Sequence, residues 1–211
     1  MKKKVLALLL AGSMAVLSLA GCGGTSGATS EDASAGEDVT AKVEADADAA
    51  AGDAGFVENP IFEDQAVDFM NLSAVWFQAV PMENETMNYS AEDADIHIEA
   101  DISALENDLG YGVGDWVPYL TVDYKIDTPD GKEVVKGTFM EMAASDGPHY
   151  GANIELDPGT YNLTITIHSP GENGYLIHSD SETGPGGSLA DHFKDGPMSY
   201  TFEGWEFAGL E

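Results

Sequence analysis

The sequence predicts an all-β fold, an antiparallel β-sandwich of the immunoglobulin-like class. Short runs rich in β-branched and aromatic residues follow one another through the C-terminal three quarters of the chain, with Gly, Pro, Asp and Asn turns between them. One run alternates strictly, so that Tyr161, Leu163, Ile165 and Ile167 share one face. No window shows a sustained apolar repeat of 3.6 residues, and we expect only one short helical turn, within Ile102–Leu109.

The predicted strands are the apolar or alternating segments that lie between turn residues. They are Val67–Val80, Asp95–Ile102, Trp116–Ile126, Glu133–Met142, Gly151–Leu156, Tyr161–Ser169, Leu176–Asp180 and Ser199–Phe207. Two connections have the composition of hairpin turns, namely Thr128–Glu133 and Asp157–Gly159.

The N-terminus has the pattern of a bacterial lipoprotein export signal. Three lysines at positions 2–4 precede an apolar stretch, and the small-residue cleavage site Leu19-Ala20-Gly21 stands directly before Cys22, the single cysteine. We expect residues 1–21 to be a signal peptide and Cys22 to carry the lipid (palmitate among its acyl chains) that anchors an extracytoplasmic protein to a membrane. The alternative is an ordinary secretory signal followed by a free cysteine.

Composition divides the exported chain into two parts. Residues 22–55 are mostly small and acidic, too poor in large apolar side chains to form a core, and we expect a disordered tether there. Residues 56–211 hold every Trp and Tyr and form the predicted folded domain. Without residues 1–21, five lysines and no arginine face 38 acidic residues, a net charge of −33. This charge excludes nucleic acid as a partner and favours cations.

A polar face follows one predicted strand, where His97 and Glu99 alternate with Ile96 and Ile98. A histidine and a carboxylate two residues apart on a strand project to the same side, about 6–7 Å apart at their Cα atoms. They either bind one metal or form the solvent face of a half-buried strand. The sequence alone leaves both interpretations open.

A second group surrounds the turn Ser145–Pro148. Met142 ends a predicted strand, Asp146 lies in the turn and His149 follows it, so a thioether, a carboxylate and an imidazole lie within eight residues. Soft, hard and borderline ligands together favour a mixed metal site, whereas a core methionine beside an ordinary turn is the alternative.

The remaining histidines differ in their surroundings. His178 precedes the acidic, glycine-rich segment 179–186, which makes it a third candidate ligand or the polar border of a turn. His168 continues an alternating strand on its outer face, and His192 lies in a loop, so we expect neither to bind metal.

The sequence contains no zinc-hydrolase, nucleophile-elbow or phosphate-loop motif, and we predict that the protein is not an enzyme.

Four segments resemble the periplasmic or lipoprotein iron-transport-associated proteins, immunoglobulin-like domains found with bacterial ferrous-iron permeases; one spirochaetal member is a surface antigen. The segments are ADIHIEADISA (residues 94–104), GVGDWVPYLTVDY (112–124), GTFMEMAASDGPHYGANI (137–154) and HSDSETGPG (178–186).

The resemblance implies a homodimer that binds copper and iron, with other divalent metals such as zinc or manganese possible, beside a membrane iron permease. It assigns copper ligation to His97, Met142, His149 and His178, and an adjacent iron position to Glu99 and Asp146. Two other functions stay open: a copper chaperone or buffer without an iron role, and an immunoglobulin-like surface antigen that binds a host protein.

Overall fold

Nine strands form two antiparallel sheets in the computed structural model of the protein, which describes residues 57–83 and 90–210. The strands are β1 (Asn59–Val67), β2 (Met70–Gln78), β3 (Ile96–Ala104), β4 (Thr121–Asp127), β5 (Glu133–Thr138), β6 (Met140–Ala143), β7 (Pro148–Ile154), β8 (Gly159–His168) and β9 (Met198–Phe207). Sheet A has the order β1-β2-β3-β7-β6 and sheet B the order β5-β4-β8-β9. A 3₁₀ turn at Pro170–Asn173 and a short helix, α1 (Leu189–His192), lie between β8 and β9.

The core lies between the two sheets and confirms the predicted all-β sandwich. On β8, the predicted alternation holds, and Tyr161, Leu163, Ile165 and Ile167 are all buried. The equivalent inward positions of β3 are isoleucines and alanines, which face them from sheet A. Apolar area removed from water is the main favourable contribution to such a fold. Within the described residues, no helix is long and apolar enough to cross a membrane.

The chain changes sheets at Phe139, which divides the predicted strand Glu133–Met142 into two. Phe139 is buried against the ring of Tyr124, with centroids 4.6 Å apart, and its N–H donates to the Val122 carbonyl at 2.8 Å. The preceding residues pair with β4, whereas the residues after Phe139 pair with β7. This switch places Met142 directly opposite His149.

Several sequence-based boundaries are corrected by the structure. Leu176–Asp180 is not a strand, and Ile102–Leu109 contains the end of β3 and a loop instead of a helical turn. The Thr128–Glu133 hairpin is confirmed between β4 and β5. Asp157–Gly159 instead connects β7 of sheet A to β8 of sheet B, so it is a crossover and not a hairpin.

The sequence-based prediction missed β1, which pairs with β2 through two irregularities of register. One of them contains Asp64, whose φ of 53° is unusual for a residue other than glycine. Such bulges interrupt the two-residue period that a sequence pattern needs. The predicted signal peptide, the predicted lipidation site Cys22 and the predicted tether lie outside the described residues.

An imidazole joins the segment after β8 to one end of the sandwich. His192 Nδ1 lies 2.5 Å from Asp68 Oδ1, and His192 Nε2 lies 3.0 Å from Asp108 Oδ1. Both ring nitrogens face carboxylates, and only an imidazolium donates from both. Partial burial lowers the pKa of His192, but hydrogen bonds to Asp108 and Asp68 and their charges outweigh it, so the pKa is raised above its usual value.

This contact predicts a pH-dependent stability. The pKa of His192 is higher in the folded state than in the unfolded state, where it is about 6.5. The stabilisation from His192 is therefore complete below the unfolded-state pKa, and it is lost as the pH rises through the folded-state pKa. We expect His192→Gln to lower the free energy of unfolding by about 1 kcal/mol in mildly acidic solution, and by less in alkaline solution. Urea denaturation across this range measures the difference. Lys194→Gln, a nearby exposed change, should keep the wild-type pH dependence; an equal loss at every pH for His192→Gln contradicts the assignment.

Candidate metal centre

Two imidazoles and a carboxylate converge on the outward face of sheet A. His97, Glu99 and His149 each offer one ligand atom, and these atoms lie within 4.8 Å of one another. Glu99 Oε1 is 3.3 Å from His97 Nε2 and 3.1 Å from His149 Nε2. The three residues are only 1 %, 4 % and 4 % exposed, respectively. This outward face is therefore shielded from water, unlike the usual solvent face of a half-buried strand.

Strand geometry explains why these residues meet. His97 and Glu99 project from the same side of β3, as their spacing predicts. β7 is the antiparallel neighbour of β3, and Glu99 pairs with Gly151 in the register. His149, two residues before Gly151, projects to the same side and reaches Glu99 diagonally.

Gly151 leaves the space in which the donors approach one another. A Cβ atom at this position would lie 2.7 Å from His97 Nε2 and 3.2 Å from Met142 Sδ. Glycine weakens a central strand, so its presence on β7 reflects a need for close approach. The thioether of Met142, from the edge strand β6, thus joins the same group of donors.

These side chains fit a metal ion because their ligand atoms lie together and one imidazole among them lacks a hydrogen-bond partner there. His149 Nε2 is buried and has no hydrogen-bond partner in the described part of the chain, and its 3.1 Å contact with Glu99 Oε1 lacks hydrogen-bond geometry. Imidazoles suit copper, iron and zinc, a thioether favours Cu(I), and a carboxylate suits harder ions. We therefore treat His97, Glu99, His149 and Met142 as the candidate metal centre.

His149 is held in the protonation state that a metal requires. Burial lowers its pKa, as does the neighbouring His97, and the charges of Glu99 and Asp146 and a hydrogen bond to the Gly147 backbone offset this only partly. The imidazole is thus neutral in neutral solution, with a lone pair available for coordination.

Further carboxylates surround the centre. Although Asp101 reaches solvent, desolvation by its surroundings and the charges of Glu99, Glu58 and Asp146 raise its pKa to about 7. Burial and the charges of Glu99 and Asp146 also raise the pKa of Glu58. The exposed Asp146 thus acts electrostatically on the centre but is not one of its converging residues. This mutual repulsion favours a cation.

The structure does not bring His178 to the candidate metal centre. The side chain is exposed in the segment after β8, and Nδ1 contacts Thr183 Oγ1 at 2.8 Å. Asp180 organises the same loop by accepting from the N–H groups of Glu182 and Thr183. His168 lies on the outer face of sheet B, 3.1 Å from Asp123, as predicted for a surface strand residue.

The sequence-based prediction missed Gly151 and Asn153, which complete the surroundings of the centre. Both lie on β7 at two-residue intervals from His149, and Asn153 is fully buried and contacts His97. The period of two, applied from His149 onward, would have placed all three on one face. Glu58 lies just before β1, which no sequence signal indicated.

Comparisons with known proteins give a consistent result. Residues 55–209 match the family model described as Fe2+ transport protein. The 34 kDa membrane antigen of Treponema pallidum (strain Nichols) is 40% identical over 208 residues, which cover 95% of this chain and 96% of the antigen.

Two solved structures show the same fold. A copper-bound variant of FetP from uropathogenic Escherichia coli strain F11 is 41% identical, with a TM-score of 0.66 over 74% of this chain and 100% of FetP. The copper-reconstituted P19 protein of Campylobacter jejuni is 36% identical, also with a TM-score of 0.66, over 74% of this chain and 99% of P19.

The space at Gly151 predicts a selective loss of metal binding. We expect Gly151→Ala to displace His97 or Met142, because the added Cβ would lie 2.7 Å from His97 Nε2, and to weaken Cu(II) binding about tenfold or more. Calorimetric titration measures the affinity, and near-UV circular dichroism checks the fold. Gly171→Ala, in the 3₁₀ turn, is the matched control and should bind as the wild type does. Unchanged Cu(II) affinity in a folded Gly151→Ala protein contradicts the role of this space.

Proposed function

The chain belongs to the Fe2+ transport protein family, and we propose that it is an extracytoplasmic metal-binding protein that supports the uptake of ferrous iron. The observation that carries this proposal is the buried group formed by His97, Glu99 and His149 with Met142 beside it. Burying a carboxylate beside two imidazoles is unfavourable unless a cation or a proton compensates.

We assign the donors to two metals by their chemistry. His97, His149 and Met142 form the softer side of the centre and suit copper. Glu99 and Asp146 form the harder side and suit ferrous iron, which is the cargo, in an adjacent position. Copper-bound FetP and P19 support the first assignment, because both are similar to this chain throughout its folded part. Zinc and manganese are competing ions for the same donors.

The N-terminal sequence supports attachment to a membrane. Lipid on Cys22, after removal of residues 1–21, would anchor the chain through the tether formed by residues 22–55. The domain, residues 56–211, would then lie outside the cytoplasm, in the periplasm or at the cell surface. A membrane iron permease is the partner that fits an anchored iron-binding protein, and the proposed role is binding and delivery without catalysis.

We further propose a homodimer in which His178 of the partner subunit completes each centre. His178 is exposed and outside the converging group of its own chain. Next to it, Leu176 is 87% exposed, and Tyr119, whose ring packs 5.7 Å from that of Tyr175, is also exposed. Large apolar side chains exposed beside a candidate ligand favour a protein–protein contact there.

Copper buffering without an iron role is the second candidate, and the thioether of Met142 favours it because thioethers prefer Cu(I). Deletion of the gene separates the two functions. Poor growth under iron limitation supports the iron role, whereas normal iron uptake with increased copper sensitivity supports copper buffering.

The centre predicts a specific loss of binding. We expect His97→Ala/His149→Ala to weaken Cu(II) binding, and Fe2+ binding under anaerobic conditions, by more than about 100-fold because two imidazole ligands are removed. Calorimetric titration of the purified protein measures both. The control is His168→Ala, which removes a surface imidazole that pairs with Asp123. Equal binding by the double variant and the wild type would show that the metal lies elsewhere.

The proposed dimer predicts complementation between variants. His178→Ala alone should weaken Cu(II) binding about tenfold or more. A mixture of His178→Ala with His97→Ala/His149→Ala should regain one tight site per mixed dimer, because one centre then has all its ligands. Calorimetry after subunit exchange measures the stoichiometry, and sedimentation velocity measures the dimer. A mixture that stays weak contradicts a ligand from the partner subunit.

A further inference from the structure

Asn153 is a buried amide that connects the candidate metal centre to the segment after β2. It lies on β7 opposite His97 in the register and is fully buried. Its Oδ1 lies 2.9 Å from His97 Nδ1. Its Nδ2 donates to the Val80 carbonyl at 2.9 Å, and its Oδ1 accepts from the Val80 N–H at 3.4 Å.

The Val80 backbone fixes the orientation of this amide. An amide NH₂ group only donates and an amide oxygen only accepts. If the amide were reversed, Nδ2 would face the Val80 N–H and Oδ1 would face the Val80 carbonyl, and both contacts would be repulsive. The observed orientation is therefore the one in which Oδ1 faces His97.

An amide oxygen facing His97 Nδ1 requires a proton on that nitrogen. In a neutral imidazole the other nitrogen, Nε2, then carries the lone pair. Nε2 is the atom 3.3 Å from Glu99 Oε1, in the space that Gly151 leaves beside Met142 Sδ. Metal-binding histidines in proteins typically donate their other ring N–H to such an acceptor, which fixes the ring and its tautomer.

We infer that Asn153 is a positioning residue that holds His97 in the Nδ1–H tautomer, so that Nε2 presents its lone pair to the metal. The inference rests on the proposed function for its consequence, metal affinity, but not for the tautomer itself. One side chain thus orients a ligand and holds the backbone at Val80. The position of the segment after β2 and the orientation of His97 are therefore set together.

The first measurement uses metal-free protein. Two-bond ¹⁵N–¹H correlation spectra recorded at about pH 9, where ordinary imidazoles are neutral, report the tautomer of each histidine. His97→Gln identifies the His97 signals. We expect His97 to give the Nδ1–H pattern in the wild type. An Nε2–H pattern in the wild type would overturn the inference, whether or not the protein binds metal.

Two substitutions of Asn153 then separate positioning from packing. Asn153→Leu keeps the size but removes the acceptor, so His97 should shift toward the Nε2–H tautomer and Cu(II) affinity should fall about 10–100-fold. Asn153→Asp keeps an acceptor for His97 but has no donor for the Val80 carbonyl, so the Nδ1–H tautomer should be retained. Its Cu(II) affinity should therefore exceed that of Asn153→Leu.

The control is Asn162→Leu on β8, where the amide oxygen accepts from the Gly204 N–H at 3.0 Å; it should leave the tautomer and affinity unchanged. If Asn153→Leu lowers the unfolding midpoint but keeps the Nδ1–H tautomer and the Cu(II) affinity, Asn153 has only a structural role. A wild type with the expected tautomer but no metal binding contradicts the proposed function alone.

Discussion

The close approach of Glu99 to two imidazoles, on a face shielded from water, is the contact on which the candidate metal centre depends. Glu99 Oε1 lies about as close to His97 Nε2 and His149 Nε2 as the atoms of a hydrogen-bonded pair do. His149 Nε2 nevertheless has no hydrogen-bond partner in the described residues. Removing such a carboxylate from water costs several kcal/mol unless a positive charge replaces the lost hydration. The surrounding carboxylates increase this need for a positive charge, and their repulsion contributes to the raised pKa of Asp101. The candidate centre therefore favours a bound cation.

Each structural feature near the centre serves to hold these donors together. The change of sheets at Phe139 provides an edge strand that carries Met142 to β7. A glycine on β7 removes the one side chain that would separate the thioether from His97. Asn153 holds the ring of His97 at Nδ1, the nitrogen that faces away from the other candidate ligands. The sandwich supplies a rigid central pair of strands, and the candidate ligands on these strands are the most completely buried.

Much of the fold and part of the centre follow from the sequence. The period of two placed His97 and Glu99 on one face, and the turn before His149 placed a third candidate ligand near a strand end. The sequence pattern does not show that this polar face is shielded, because burial depends on the segments that cover it. It also does not show a sheet change inside an apparently continuous strand, or a strand with bulges such as β1. For His178, local sequence predicts its acidic loop but not its distance from the other ligands, which is a tertiary property.

The position of Met142 on β6 has a kinetic consequence. β6 has four residues, and in the described structure it forms the outer edge of sheet A, next to an exposed turn. A short edge strand separates from its neighbour with a small free energy, whereas β3 and β7 open only with the core. Detachment of β6 therefore withdraws the thioether and leaves both imidazoles in place. The thioether can thus leave the candidate centre while the core stays folded, and a soft ion bound there would first lose this ligand.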